Sequence, residues 1–215
     1  MSSERAIIPS ILACDFNEVR EKIAIARAFA PWVQLDIADG SFASPETWNS
    51  PENLTECEQP PQCEVHLMVE HPEAVLKEWM DVVQRIYVHI EATEEMEKII
   101  SQVAVSTVEF GIALSLDTPI ATLKPYIDRI SAIQLMSIAS LGSYGSPFDE
   151  RVYEKIKILR AQYPSVTISI DGGVSTKNAK RLVDAGVTHL VVGSAIFSEA
   201  DPRAEFEELC AIVGI

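Results

Sequence analysis

The sequence predicts an α/β fold of the closed (β/α)8 barrel type. Three observations carry the prediction. Eight short apolar runs recur along the chain, and most are rich in β-branched residues, as buried parallel strands are. Segments of helical pattern lie between them. Eight such units in 215 residues leave about 27 residues each, close to the roughly 30 of one βα repeat. No linker or low-complexity tract divides the chain, so one barrel domain over residues 1–215 is expected, near the lower size limit for this architecture. A doubly wound open sheet is the competing arrangement.

The elements follow in order. The first strand covers 6–12 and the first helix 16–29, with Asp15 placed to cap it. The second strand covers 32–37. Its unit is the weakest, because 53–57 leaves little room for a helix and Glu58-Gln-Pro-Pro-Gln62 reads as loop. Strand 65–69 leads to a helix at 73–83. Strand 86–90 leads to a helix at 94–106, capped by Thr93. Strand 110–114 precedes a helix at 120–127. Strand 133–138 precedes a helix at 150–163, capped by Asp149. Strand 166–170 precedes a helix at 177–185, which Gly186 closes just past its end. Strand 190–192 precedes the last helix, 202–213, capped by Asp201.

Composition narrows the function. Lys and Arg number 17 against 32 Asp and Glu, a net charge of −15. That argues against nucleic-acid binding, which needs clustered cations, and against anionic membrane surfaces. Small anions remain open, since backbone N–H groups can hold them locally. No stretch approaches the roughly 18 apolar residues of a membrane span. The opening residues lack the zones of a signal peptide. Cys14, Cys57, Cys63 and Cys210 have no framework spacing, which suits a reduced, cytoplasmic protein.

Six of the nine glycines fall just after strands: Gly40, Gly142, Gly145, Gly172, Gly173 and Gly193. In a parallel barrel that is the active face. Five of the six follow the last three strands, in 141–146, 171–174 and 193–196. Glycine admits close backbone approach to an anion, so these loops are expected to bind phosphate. Tight βα turns are the plainer explanation of any one of them. Asp36 sits inside an apolar strand, and Asp171 ends another. A carboxylate there costs free energy unless it is paired, metal-bound or functional. His66 lies on a strand at similar depth, which points to a site shared with the two acids. His89 is a second strand histidine, His71 and His189 read as structural, and Asp39 as a cap or turn residue.

These residues carry a family resemblance. Ile8-Pro-Ser-Ile-Leu-Ala-Cys-Asp-Phe16 resembles the opening strand of ribulose-phosphate 3-epimerases. Leu35-Asp-Ile-Ala-Asp-Gly40, Val65-His-Leu-Met-Val69, Val88-His-Ile-Glu-Ala92, Ile170-Asp-Gly-Gly-Val174 and Gly193-Ser-Ala-Ile-Phe197 resemble further family segments in the same order. The resemblance spans essentially the whole chain. It implies a TIM barrel of the ribulose-phosphate-binding type, acting in the pentose phosphate pathway on a small sugar phosphate. In that family two aspartates exchange the proton at C3 of the sugar, one on each face. A divalent metal (Zn, Fe, Mn or Co), held by two histidines and the two aspartates, stabilises the enediolate. The resemblance makes Asp36 and Asp171 the acid–base pair and, with His66, metal ligands. It makes Ser10 a substrate contact, and Met68 and Met136 neighbours of the reacting carbon. It places the phosphate on Gly172, Gly173, Gly193 and Ser194, to which the glycine-loop reading adds Gly142 and Gly145. Family members are often homo-oligomers.

The chain also departs from the family pattern. The family's first metal histidine, two residues before the first aspartate, is Gln34 here, whose amide oxygen is a poorer ligand than imidazole. The methionine after that aspartate is Ala38. The family's Pro-Asn segment a few residues on is replaced by Ala43-Ser-Pro-Glu-Thr-Trp48. The sixth loop, Ser140-Leu-Gly-Ser-Tyr-Gly-Ser-Pro147, lacks the family's proline and glutamine, and Ser115-Leu-Asp-Thr-Pro119 lacks its Pro-Gly. The expected reaction is epimerisation of ribulose 5-phosphate to xylulose 5-phosphate. The departures leave two alternatives: another ketose phosphate such as a hexulose 6-phosphate, with the longer, tryptophan-bearing second loop reshaping the sugar end, or a sugar-phosphate-binding barrel without turnover.

Overall fold

A computed structural model describes residues 5–142 and 145–215. Eight parallel strands close into a barrel in chain order, and β8 returns to β1. They are β1 (Ala6–Ile11), β2 (Trp32–Ala38), β3 (Gln62–Met68), β4 (Arg85–His89), β5 (Glu109–Leu114), β6 (Ala132–Met136), β7 (Thr167–Asp171) and β8 (His189–Val192). The open-sheet alternative is thereby excluded. The helices are α1 (Phe16–Ala26), α2 (Leu76–Met80), α3 (Met96–Val103), α4 (Val152–Gln162), α5 (Ala179–Asp184), α6 (Ser194–Phe197) and α7 (Pro202–Val213). Among the described residues no helix is long and apolar enough to cross a membrane.

The strands alternate because successive side chains point to opposite faces. In β2, Val33, Leu35 and Ile37 face outward into the main apolar core. Gln34, Asp36 and Ala38 occupy the positions between them and face inward. The same period of two sorts β3 into Val65 and Leu67 outside and Glu64 and His66 inside, all buried. The outward residues pack against Val19 and Ile23 of α1, Leu76 and Trp79 of α2, Ile156 and Leu159 of α4, and Phe206 and Leu209 of α7. The core thus lies between barrel wall and helices, and the barrel interior is left to polar chemistry. Each such Leu or Ile contributes about 1.5–3 kcal/mol on burial. At the bottom of the interior Arg85 pairs with Glu64 at 2.6 Å and with Glu109 at 2.6 Å, and lies over the Trp32 ring at 4.6 Å.

Several expectations need correction. The helix expected at 120–127 is two 3-10 turns, Ile120–Leu123 and Ile127–Arg129. Pro125 lies between them, and its ring and missing N–H break a helix. The helix expected at 73–83 is a 3-10 turn, Pro72–Ala74, followed by the short α2. The weak second unit carries a 3-10 turn, Pro51–Glu56. Asp15 and Asp201 cap α1 and α7 as expected. Thr93 and Asp149 instead make turns one step ahead of α3 and α4, accepting from the N–H of Glu95 and of Arg151. Gly186, at φ +108, closes α5.

Candidate active site

Six strands, β1, β2, β3, β6, β7 and β8, deliver side chains to the pocket at the barrel's C-terminal mouth. Asp36 of β2 lies in register with His66 of β3, and Met136 of β6 with Asp171 of β7. Ser10 on β1 is in register with Gln34. One pocket is lined by Ser10, Asp36, His66, Met68, Met136 and Asp171 together with Gly142, Gly145, Gly172, Gly173, Gly193 and Ser194. Every lining residue expected from the sequence is therefore brought to one place. Ser143 and Tyr144 of the sixth loop lie outside the described residues.

At the floor, His66 Nδ1 stands 3.5 Å from Asp36 Oδ1 and 3.2 Å from Asp171 Oδ2. Gln34 is fully buried one step below. Its Nε2 donates to Asp36 Oδ1 at 2.6 Å and to Asp171 Oδ2 at 2.7 Å. Gln134 Nε2 donates to the same Asp171 oxygen at 2.9 Å. Two carboxylates so close in a site of low exposure cannot both ionise cheaply. Burial and then the charge of Asp171 push the Asp36 carboxyl up. Burial works to lower His66, but hydrogen bonds and charge from Asp171 and Asp36 outweigh it and raise the ring to about 9.

Asp36, His66 and Asp171 each offer one ligand atom, and these atoms lie within 4.8 Å of one another. Two carboxylate oxygens and one imidazole nitrogen suit a divalent first-row cation. Gln34 Oε1 is buried with no hydrogen-bond partner among the described residues. Rotating the amide by half a turn would present that oxygen to a cation and withdraw the N–H groups. The donor set thus fits a metal. Among the described residues no cysteine joins a cluster of three or more candidate ligands; all four are free, and burial pushes the Cys63 thiol up to about 12.

The walls explain two glycines. Gly142 has φ +84, and a Cβ there would stand 2.8 Å from the backbone N and O of Ser44. Gly173 has φ +65 and would meet the backbone N of Phe148 at 2.9 Å. The loop after β2 is pinned by Asp39, whose Oδ1 accepts from the N–H of Ser41 and Phe42 and whose Oδ2 accepts from that of Glu70. Asp39 is a turn residue. The Ser44–Pro45 peptide is cis.

The family model described as "Ribulose-phosphate 3 epimerase family" matches residues 6–197. The chain belongs to that family. The ribulose-phosphate 3-epimerase of Schizosaccharomyces pombe is 29% identical over 211 residues, covering 92% of this chain and 89% of the relative. The Bacillus subtilis protein of the same name is 28% identical over 219 residues, covering 94% and 97%. Among solved structures, 3-hexulose-6-phosphate synthase from Salmonella typhimurium superposes with a TM-score of 0.76 at 12% identity, over 97% of this chain and 98% of that one. At that identity the likeness speaks to the fold alone.

Trp48, the tryptophan of the second loop, does not itself line the pocket. It is buried in the outer core, edge-on to Trp79 with ring centres 5.8 Å apart, and its Nε1 donates to Asn53. Aromatic packing outside the barrel, with Phe16 and Trp79, holds it there. Sequence reasoning also missed Gln134, and left His89 without a role. Gln134 is a polar residue inside an apolar strand, the same signal that singled out Asp36. His89 Nε2 lies 2.9 Å from His66 Nε2, and its Nδ1 lies 3.0 Å from Glu91 Oε2.

Proposed function

We propose that the protein epimerises C3 of a ketose phosphate, ribulose 5-phosphate to xylulose 5-phosphate. The observation that carries this reading is the Asp36–Asp171 pair, held on two strands at the floor of one pocket and joined through a single amide nitrogen. Epimerisation needs one carboxylate to take the C3 proton and one carboxylic acid to return a proton on the opposite face. Two carboxyl groups in one site, one of them pushed up by burial and by the charge of the other, can divide these states between them. Asp36, whose carboxyl is pushed up by burial and by the charge of Asp171, is assigned the acid and Asp171 the base. The roles exchange when the reaction runs backwards.

Removing the C3 proton beside the ketone spreads negative charge over the C2 and C3 oxygens. The imidazolium of His66 and the Gln34 amide stand at the floor where that charge develops. A divalent cation held by Asp36, His66 and Asp171 would displace the His66 Nδ1 proton and supply the positive charge in its place. Met68 and Met136 give an apolar, polarisable wall and limit the access of water. Ser10 binds a sugar hydroxyl. Among the described lining residues none is Lys or Arg. The phosphate is therefore assigned to backbone N–H groups of the loops at Gly142, Gly145, Gly172, Gly173, Gly193 and Ser194.

Solvent deuterium exchange into C3 of ribulose 5-phosphate tests the reading. Asp36→Asn and Asp171→Asn should each abolish epimerisation while the barrel still folds. No exchange by the unmodified protein across ketose phosphates and added metals would overturn it. So would full activity in either variant.

A further inference from the structure

His66 and His89 are both fully buried, with ring centres 5.0 Å apart and planes at 28°. Their Nε2 atoms are 2.9 Å apart. Two ring nitrogens at that distance hold one hydrogen between them, and the question is which ring owns it. Glu91 decides. Its Oε2 faces His89 Nδ1 at 3.0 Å. Its Oε1 accepts from the backbone N–H of Ser115 at 2.9 Å and from the Thr118 hydroxyl. Glu91 is thus surrounded by donors and accepts at both oxygens. The hydrogen on His89 therefore sits on Nδ1, aimed at the carboxylate. A neutral His89 then has a bare Nε2, which accepts from His66.

We infer that Glu91, acting through His89, is a positioning residue that keeps a hydrogen of His66 on Nε2, so that Nδ1, facing Asp36 and Asp171, is the nitrogen that gives up its proton and ligates a bound cation. The inference rests on the proposed function only in taking the acid pair as the cation site. The direction of the chain rests on the contacts just named. A histidine ligand whose far nitrogen is fixed by a carboxylate is a better oriented and more basic donor, and losing such support costs about 10- to 100-fold in metal affinity. Phe42 closes the other side of the relay, its ring 5.0 Å from that of His89.

Glu91→Gln reverses the chain without changing its shape. The amide oxygen is retained by Ser115 and Thr118, so the NH2 group faces His89 Nδ1 and donates to it. His89 must then carry its hydrogen on Nε2 and donate to His66. Long-range 1H–15N correlation spectra of the metal-free protein read the hydrogen's position directly, and calorimetry with Zn2+ alone reads the affinity. Neither measurement needs substrate, so the result stands apart from the deuterium-exchange test. In the unmodified protein the His89 hydrogen is expected on Nδ1. In Glu91→Gln it should move to Nε2, and Zn2+ should bind about 10-fold or more weakly. Glu91→Ala, which removes the acceptor and adds no donor, should show both tautomers and an intermediate loss. A His89 hydrogen on Nε2 in the unmodified protein overturns the inference. So does an unmoved hydrogen with Zn2+ affinity within twofold in both variants, or a lack of Zn2+ binding by the unmodified protein.

Discussion

Gln34 donates two short hydrogen bonds where two acids would otherwise repel each other. Its replacement by histidine adds a fourth nitrogen or oxygen donor to the three already gathered. Gln34→His should therefore bind Zn2+ at least about 10-fold more tightly by calorimetry; equal or weaker binding would count against a cation at this floor. Glu91 makes a separate prediction about acid stability. Burial acts to raise it, but hydrogen bonds from His89, Thr118 and Ser115 outweigh that and hold it at about 2, against an ordinary value of 4.5. A depressed carboxylate lends stability above its unfolded value and loses it as pH falls through the folded one. The unmodified protein should thus lose on the order of 2 kcal/mol relative to Glu91→Gln between pH 4.5 and about 2, allowing for partial exposure. Urea unfolding of both proteins across that range checks the difference, and parallel curves would refute it.

At the scale of elements, the strands were legible and the short helices were not. β-branched runs mark a strand wherever it sits, and all eight fell within a few residues of their expected places. The helix at 120–127 failed because Pro125 overrides an otherwise suitable apolar pattern. Asp36, Asp171 and His66 were legible as polar residues inside apolar strands. Gln134 carries the same signal; the role of His89 was not legible, because its contact with His66 is set by cross-strand register, which local sequence does not encode. The loops carry their own prediction. Gly142 lies against the Ser44 backbone, where a methyl group has no room. Gly142→Ala should lower kcat/KM by displacing two loops at the mouth, yet change stability by only about 1–2 kcal/mol. In contrast, Trp79→Ala empties the outer core, far from the pocket, and should cost about 3–5 kcal/mol in urea unfolding.

The whole molecule carries a net charge of −15, yet the pocket assigned to an anionic substrate has no Lys or Arg among its described lining residues. Its long-range field repels the ligand its floor is built to hold. Screening should therefore help: KM for ribulose 5-phosphate should fall as salt is raised toward about 0.15 M, where the Debye length is about 8 Å. A KM that rises with salt would point to a cationic route into the site. The barrel wall has a further consequence. Its outward residues secure the packing against the helices, and its inward residues hold the acids, amides and imidazoles. Catalytic and cohesive duties thus fall on alternating letters of the same strand. A lineage can rewrite one set and leave the other untouched, so an inherited scaffold can drift in its chemistry without passing through an unfolded ancestor. Gln34, flanked by Val33 and Leu35 of the outer core, is a position where such an edit leaves the packing untouched.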